Sequence, residues 1–437
     1  MKLLVGYDGG AVGPMEIVAG LRGLAEPVFL VPEAFQQDQL GQVVSALAET
    51  ISFADSAGEG RLTAEELDRI AAAEAIAGAL TFSEKMLPAI SAVTTRLQLP
   101  GHAPETVRPL TDKYAQRCAL RDSGVDSIRF LLLENVDALD QQLIESVGFP
   151  AILKPVRGSG SRNTYLVTGI DQLTELARAL LLPSEPGAEP AERRLLLEQY
   201  LTGDSQHRHG DYVSVESLVH QGEAQHLAVT GKFRQLSNFR EVGDFWPAML
   251  SPQATADVER LVSAALGALG VRTGFTHTEV KLTSGGPHII EVNGRLGGDV
   301  HALARAAYGI DVVAMAGRNA LGLPVELPSR TLSRVFYNVS AIAPLSARRL
   351  RVMSGAGAVR RLPTVASYRR YLGAGGSTVG AEAACALDLV TGWATDHEKL
   401  PSAIRRVTSE LNYEFDWYDG TIVTRNGWQL TLGGEPG

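Results

Sequence analysis

Two short runs, FTHTEVKL and HIIEVN, joined by the turn SGGP, constrain the fold of this chain more than any other feature. Strand side chains alternate between faces, so Glu291 and Asn293, two residues apart, project to the same side. The turn folds the two runs antiparallel and brings Glu279 opposite that face. Two carboxylates set against each other repel unless a cation or water lies between them. Oxygen ligands of this kind suit a hard cation such as Mg²⁺. Glu279, Glu291 and Asn293 are therefore a candidate metal set, with a solvated surface as the alternative.

The rest of the composition narrows the class. At 437 residues the chain is too long for one ordinary core and is expected to form about three lobes. A net charge of -9 offers no basic face to a polyanion, which argues against nucleic acid as a partner. Two cysteines, Cys118 and Cys385, cannot make a disulfide framework. The start, MKLLVGYDGG, reaches glycine too soon for a signal peptide, and no apolar run approaches a membrane span, so the expected location is the cytoplasm.

Residues 1–105 read as alternating strands and helices: KLLVGY, a helix from Gly13, PVFLVP, then helical stretches around 63–77 and 84–97. That alternation predicts a parallel βαβ sheet and an α/β class. The Pro- and Gly-rich segment LPGHAPETVRP marks a boundary. A helix follows, with Thr111 as the expected N-cap and Gly124 at its end. Lys113, a cation in the first turn, opposes the helix dipole; it is either a tolerated exposed lysine or the partner of an anion. From about Arg330 the pattern turns to short strands and turns, with a late helix near 398–411, which predicts a further lobe over 331–437.

Between these lies FPAILKPVRGSGSRNTYLV, strand, glycine loop and strand. It lacks the GxxxxGK of a P-loop. Lys154 precedes the loop, and Arg157, Gly158, Ser159, Gly160 and Ser161 either wrap phosphates with backbone N–H groups or form a plain hairpin turn. LLLEQYL is a strand ending in Glu198, after a solvated loop over 182–194. The irregular loop KFRQLSNFREVGDFWPA combines Arg240 with Trp246. It serves either as a substrate pocket with apolar walls, where Arg240 pairs with a carboxylate, or as a surface loop whose aromatics tuck into the core. His277 shares a strand face with Glu279 and is placed near any amine bound there. Asp299 reads as the N-cap of a helix ending at Gly309.

Taken in order, Lys113, Lys154 before RGSGS, LEQYL, HTEVK and EVNGRLGGD resemble an ATP-grasp carboxylate–amine ligase, and within that group the L-amino acid ligases that make dipeptides. The resemblance covers about 80–330 well and the last hundred residues loosely. It implies an N-terminal Rossmann-like domain over 1–105 and ATP-grasp subdomains over 106–190 and 191–330 holding ATP between two sheets. Lys113, Lys154 and the glycine loop would contact the phosphates. Glu198 would face the adenine amino group, with Gln199, Tyr200 and Leu201 along the ring edge, and Asp211 or Glu216 would reach the ribose. Glu279, Glu291 and Asn293 would hold Mg²⁺, for which Mn²⁺ can substitute. Arg295 would act on the transferring phosphoryl group, and Gly297 and Gly298 would let backbone approach the substrate.

The implied reaction joins a carboxylate to an amino acid amine through an acyl phosphate, giving an amide, ADP and phosphate. The implied partners are small molecules, and a homodimer is compatible with the pattern. Two alternatives stand beside it. A biotin carboxylase-like or formyl-phosphate enzyme would share the last lobe, with its GAGAVRRLPTVASY and GSTVG. A non-catalytic nucleotide-binding regulator would share the fold, although none of the expected metal acids or phosphate lysines is lost.

Overall fold

The computed structural model describes the chain except residues 56–57, 73–75, 137–140, 184–190, 330, 380–383 and 434–437, and except the side chains of 141–143. Part of the solvated loop expected over 182–194, the boundary residues 190 and 330, and the last glycine of GSTVG lie outside the described residues.

The N-terminal alternation folds as expected into a parallel sheet, in the order Glu49–Phe53, Glu26–Pro32, Lys2–Gly6, Ile76–Thr81. Ile76–Thr81 corrects the reading of a helical stretch to residue 77: the helix is Ala64–Ala72, and IAGALT is a strand against Lys2–Gly6. A strand covered on both faces shows an apolar run without alternation, which periodicity alone does not separate from a helix. Glu49–Phe53, equally short, also went unseen.

Two antiparallel sheets follow. The smaller has the order Phe130–Leu133, Leu195–Gln199, Ala151–Pro155, Tyr165–Val167. Its second strand carries Glu198, so the break between the two sheets falls after Gln199 instead of at 190. The larger sheet has eight strands in the order Gly286–Asn293, Gly274–Thr283, Tyr212–His220, Glu223–Lys232, Gly243–Trp246, Val335–Val339, Asp388–Ala394, Val365–Arg370. Three strands from beyond residue 331 thus extend the sheet that carries Glu279 and Glu291, while Ala347–Ser354, Asn412–Trp417 and Ile422–Asn426 form a sheet of their own.

Local punctuation explains the helix ends. Asp112, not Thr111, caps the helix Lys113–Asp122, its carboxylate accepting from the Ala115 N–H at 2.8 Å. Thr111 instead closes the preceding helix Pro104–Thr111. Gly124 takes a φ of +70°, the left-handed geometry expected after a helix. An apolar core containing Leu3, Tyr7, Phe29, Phe275, Trp246 and Leu303 fastens the N-terminal sheet to the large one.

Candidate active site

The hairpin forms in the register its acids require. Glu279 pairs with Glu291 and His277 with Asn293 across Gly274–Thr283 and Gly286–Asn293. The smaller sheet faces this hairpin across a cleft of about 450 Å³, a size suited to a small-molecule ligand. Lys113, Lys154, Gly158 to Ser161, Glu198 to Leu201, Arg240, His277, Glu279, Glu291, Asn293, Arg295 and Gly298 all line it. Residues up to 185 apart in sequence therefore converge on one space, Lys113 being the first and Gly298 the last of these.

Charge pairing organises the cleft. Lys113 Nζ lies 2.8 Å from Glu291 Oε1 and donates to the Gly158 carbonyl at 2.7 Å. Burial works to lower its pKa, but Glu291 and Glu84 outweigh it and the ammonium is held above its usual value. Lys154 Nζ contacts Glu198 Oε1 at 2.5 Å, and Arg117 Nε donates to Glu198 Oε2 at 2.9 Å. Burial alone would raise the Glu198 carboxyl, but the charges of Arg117 and Lys154 bring it down to about 2. Both Glu198 oxygens are thus committed to cations.

His277 shows the same competition. Its Nδ1 is 2.8 Å from Glu216 Oε1, and its Nε2 is 3.5 Å from Glu279 Oε1. Burial disfavours the imidazolium, yet Glu216 and the bond to Glu279 raise its pKa to about 9. At neutral pH the ring is therefore a cation set beside the candidate metal acids.

The glycine loop is latched over the cleft. Gly158, Gly160, Ser161 and Asn163 all have positive φ, and Ser161 Oγ donates to the Phe239 carbonyl at 3.0 Å. Asn163 and Arg162 tie the loop base to Glu192. Arg295 lies at the other side, 3.6 Å from Glu84 Oε2.

Five expected site residues stand apart from the cleft lining. Glu216 is fully buried, bonded to His277 and to Ser214 Oγ, and cannot reach a ribose. Asp211 pairs instead with Lys281, which does line the cleft, at 2.7 Å. Arg157 points to Glu59 at 3.8 Å. Gly297 is required because a Cβ there would lie 2.5 Å from His277 Nδ1, so it accommodates a side chain of the protein rather than a substrate. Trp246 is fully buried, donates to Thr230 Oγ1 at 2.7 Å and packs by Tyr308. Arg240 does line the cleft, but it spends donors on the Ser237 and Ala343 carbonyls at 3.0 and 2.9 Å.

Trp246→Ala is accordingly expected to cost about 3–5 kcal/mol of stability, as truncating a large buried aromatic does. A lowered Tm with an unchanged ligand preference of the cleft checks this. An altered ligand preference at wild-type Tm would return Trp246 to the cleft wall.

The sequence reading missed Arg117, Lys232 and Glu84. Arg117 lies four residues after Lys113 on one helix, a spacing that puts both on one face and offered a signal. Glu84 follows the C-terminal end of a parallel strand, where open α/β sheets gather ligands, but only once Ile76–Thr81 is recognised as a strand. Lys232 is buried at a strand end and had no local signal.

An ATP-grasp domain model matches residues 147–302. That span holds Lys154, the glycine loop, Glu198, Glu279, Glu291 and Arg295, and leaves out Lys113. An uncharacterized protein, y4rH, of Sinorhizobium fredii is 28% identical over 310 residues, covering 70% of this chain and 61% of that protein. The alanine–anticapsin ligase of Bacillus subtilis is 26% identical over 275 residues, covering 60% and 57%. The chain thus spans about three fifths of the length of these curated relatives. Among solved structures, an L-amino acid ligase from Bacillus licheniformis superposes with a TM-score of 0.75 at 19% identity, covering 94% of this chain and 97% of that one. The chain thus carries an ATP-grasp domain over residues 147–302, within a fold that it shares along nearly its whole length with that ligase structure.

Proposed function

We propose that this protein is an ADP-forming carboxylate–amine ligase that joins a carboxylate to the amine of an amino acid. The observation that carries the reading is the in-register pair Glu279 and Glu291, facing Lys113, Lys154 and Arg295 across one cleft. The similarity to an alanine–anticapsin ligase and to an L-amino acid ligase supports the same chemistry. The proposed units are an N-terminal domain over 1–105, a lysine-bearing subdomain, a metal-bearing subdomain and a C-terminal region that completes the large sheet.

The donor set fits Mg²⁺. Two opposed carboxylates and an amide oxygen leave positions for phosphate oxygens and water, as Mg²⁺ prefers. Among the described residues no group of three His, Cys, Asp or Glu could hold a metal unaided, which agrees with a cation brought in with a nucleotide. Glu279, Glu291 and Asn293 would hold it, and it would neutralise charge on the phosphates.

A carboxylate is a poor electrophile at neutral pH. Transfer of the γ-phosphoryl group makes it an acyl phosphate, which an amine attacks to release phosphate and form the amide. Lys113 and Lys154 are placed to offset charge on the phosphate oxygens, and Arg295 to meet the transferring group. An acyl phosphate hydrolyses readily, so the loop latched through Ser161 to Phe239 serves to exclude water. Glu198, with both oxygens engaged, fixes Lys154 first and presents only its remaining lone pairs to a base.

Phosphate release scored over pairs of amino acids and simple carboxylic acids tests the reading. The nucleotide product is expected to be ADP, because Glu279, Glu291 and Arg295 line one cleft and would together offset charge on a transferring γ-phosphoryl group. AMP and pyrophosphate as the main products would overturn the mechanism.

A further inference from the structure

Asp244, with Glu241 and Asp299, is one of three acids lining the cleft that the proposed chemistry leaves without a task. It sits on Gly243–Trp246, paired in register with Lys232 on one side and Asn338 on the other. Only 5% of it is exposed, and its Oδ1 is buried with no hydrogen-bond partner among the described residues. Its Oδ2 is 3.8 Å from Lys232 Nζ, beyond hydrogen-bond reach, while that ammonium stands closer to Glu241, at 3.3 Å. Asp299 adds a third acid. It occupies the start of the helix Val300–Tyr308 but does not cap it, turning its carboxylate to the Tyr371 hydroxyl instead.

Three acids therefore share one lysine, and the local balance favours a cation. Burial pushes the Asp244 carboxyl up to about 7; Lys232 opposes this, and the charges of Glu241 and Asp299 add to it. Ile342, Ala386 and Leu389, all from beyond residue 331, line the same cleft and supply an apolar wall. An apolar wall and a buried carboxylate oxygen without a donor, lining one cleft, match an alkyl chain ending in an ammonium.

We infer that this end of the cleft is a subsite for an aliphatic ammonium group, so that one of the two ligated substrates is a basic amino acid or a diamine. The inference rests on the ligase reading and names its substrate class. Three strand spacings, about 14 Å, separate the strand of Asp244 from that of Glu279. The group held at Asp244 is thus a distal amine that positions the substrate, and a different group reacts at the phosphoryl centre.

Calorimetric titration of L-lysine and of norleucine, which lacks only the ε-amino group, into protein carrying Mg²⁺ and a non-hydrolysable ATP analogue, tests the subsite without turnover. The wild-type protein is expected to bind lysine at least tenfold more tightly than norleucine, and Asp244→Asn to lose that preference. Retained binding of the ATP analogue reports that the variant is folded; if it is not, the wild-type comparison alone decides. Equal binding of the two amino acids, binding of neither, or a preference that survives in Asp244→Asn overturns the subsite. ADP release is scored in parallel with lysine, ornithine and neutral amino acids. Release with neutral pairs and none with basic ones defeats the subsite but leaves the ligase. Absence of release with every pair defeats the ligase reading, while lysine selectivity in the titration still supports an ammonium site.

Discussion

Glu291→Ala is expected to lower kcat for ADP release by about a thousandfold, close to 4 kcal/mol of lost transition-state stabilisation. Glu291 sits at the hairpin where Glu279 opposes it, and it also holds Lys113 at 2.8 Å. Its removal takes away a proposed metal oxygen and the ion-pair partner of Lys113, the proposed phosphate lysine. The fold is expected to survive, because the side chain carries little packing and Lys113 keeps its bond to the Gly158 carbonyl. Steady-state rates on the purified variant, with its Tm as a control, check this. A variant that keeps more than about a tenth of the wild-type rate, a loss under ~1.4 kcal/mol, would show that Glu291 binds no catalytic cation.

Lys154→Ala should raise the KM for ATP and lower kcat together, with a combined loss in kcat/KM of about a hundredfold or more, roughly 3 kcal/mol. Lys154 ends the strand that leads into the glycine loop, and its ammonium is buried in the cleft against Glu198. Because Arg117 still holds Glu198 at 2.9 Å, the substitution does not strand a buried charge and folding is expected to persist. An unchanged KM for ATP would make the loop a plain hairpin turn and remove Lys154 from the nucleotide site.

Much of the site was legible because its spacing is local. The alternation that puts Glu291 and Asn293 on one face, and the turn that sets Glu279 opposite, depend only on neighbours in sequence, and the register has that form. The order of Lys113, Lys154, the glycine loop and the acids was equally readable. Burial was not. Trp246 and Glu216 have the chemistry of a pocket wall and a ribose acid, yet both are enclosed, one in the core beneath the large sheet and the other behind His277. The role of Gly297 likewise depends on a ring that approaches from another strand.

The sequence by itself determined the parallel βαβ character of the N-terminal region, the acidic hairpin and the glycines that end two helices, Gly124 and Gly309, since periodicity and turn chemistry act within a few residues. Tertiary structure alone decided which charges neutralise one another. Arg117 reaches Glu198 across 81 positions, Glu84 meets Arg295 from the other sheet, and Lys232 stands between Glu241 and Asp244. Strands from beyond residue 331 close one wall of the cleft by joining the large sheet. Such pairings depend on distance and desolvation in three dimensions, because a charge in a low-dielectric cleft is governed by whatever cation or anion the fold brings within a few ångströms. Position along the chain carries no record of that distance.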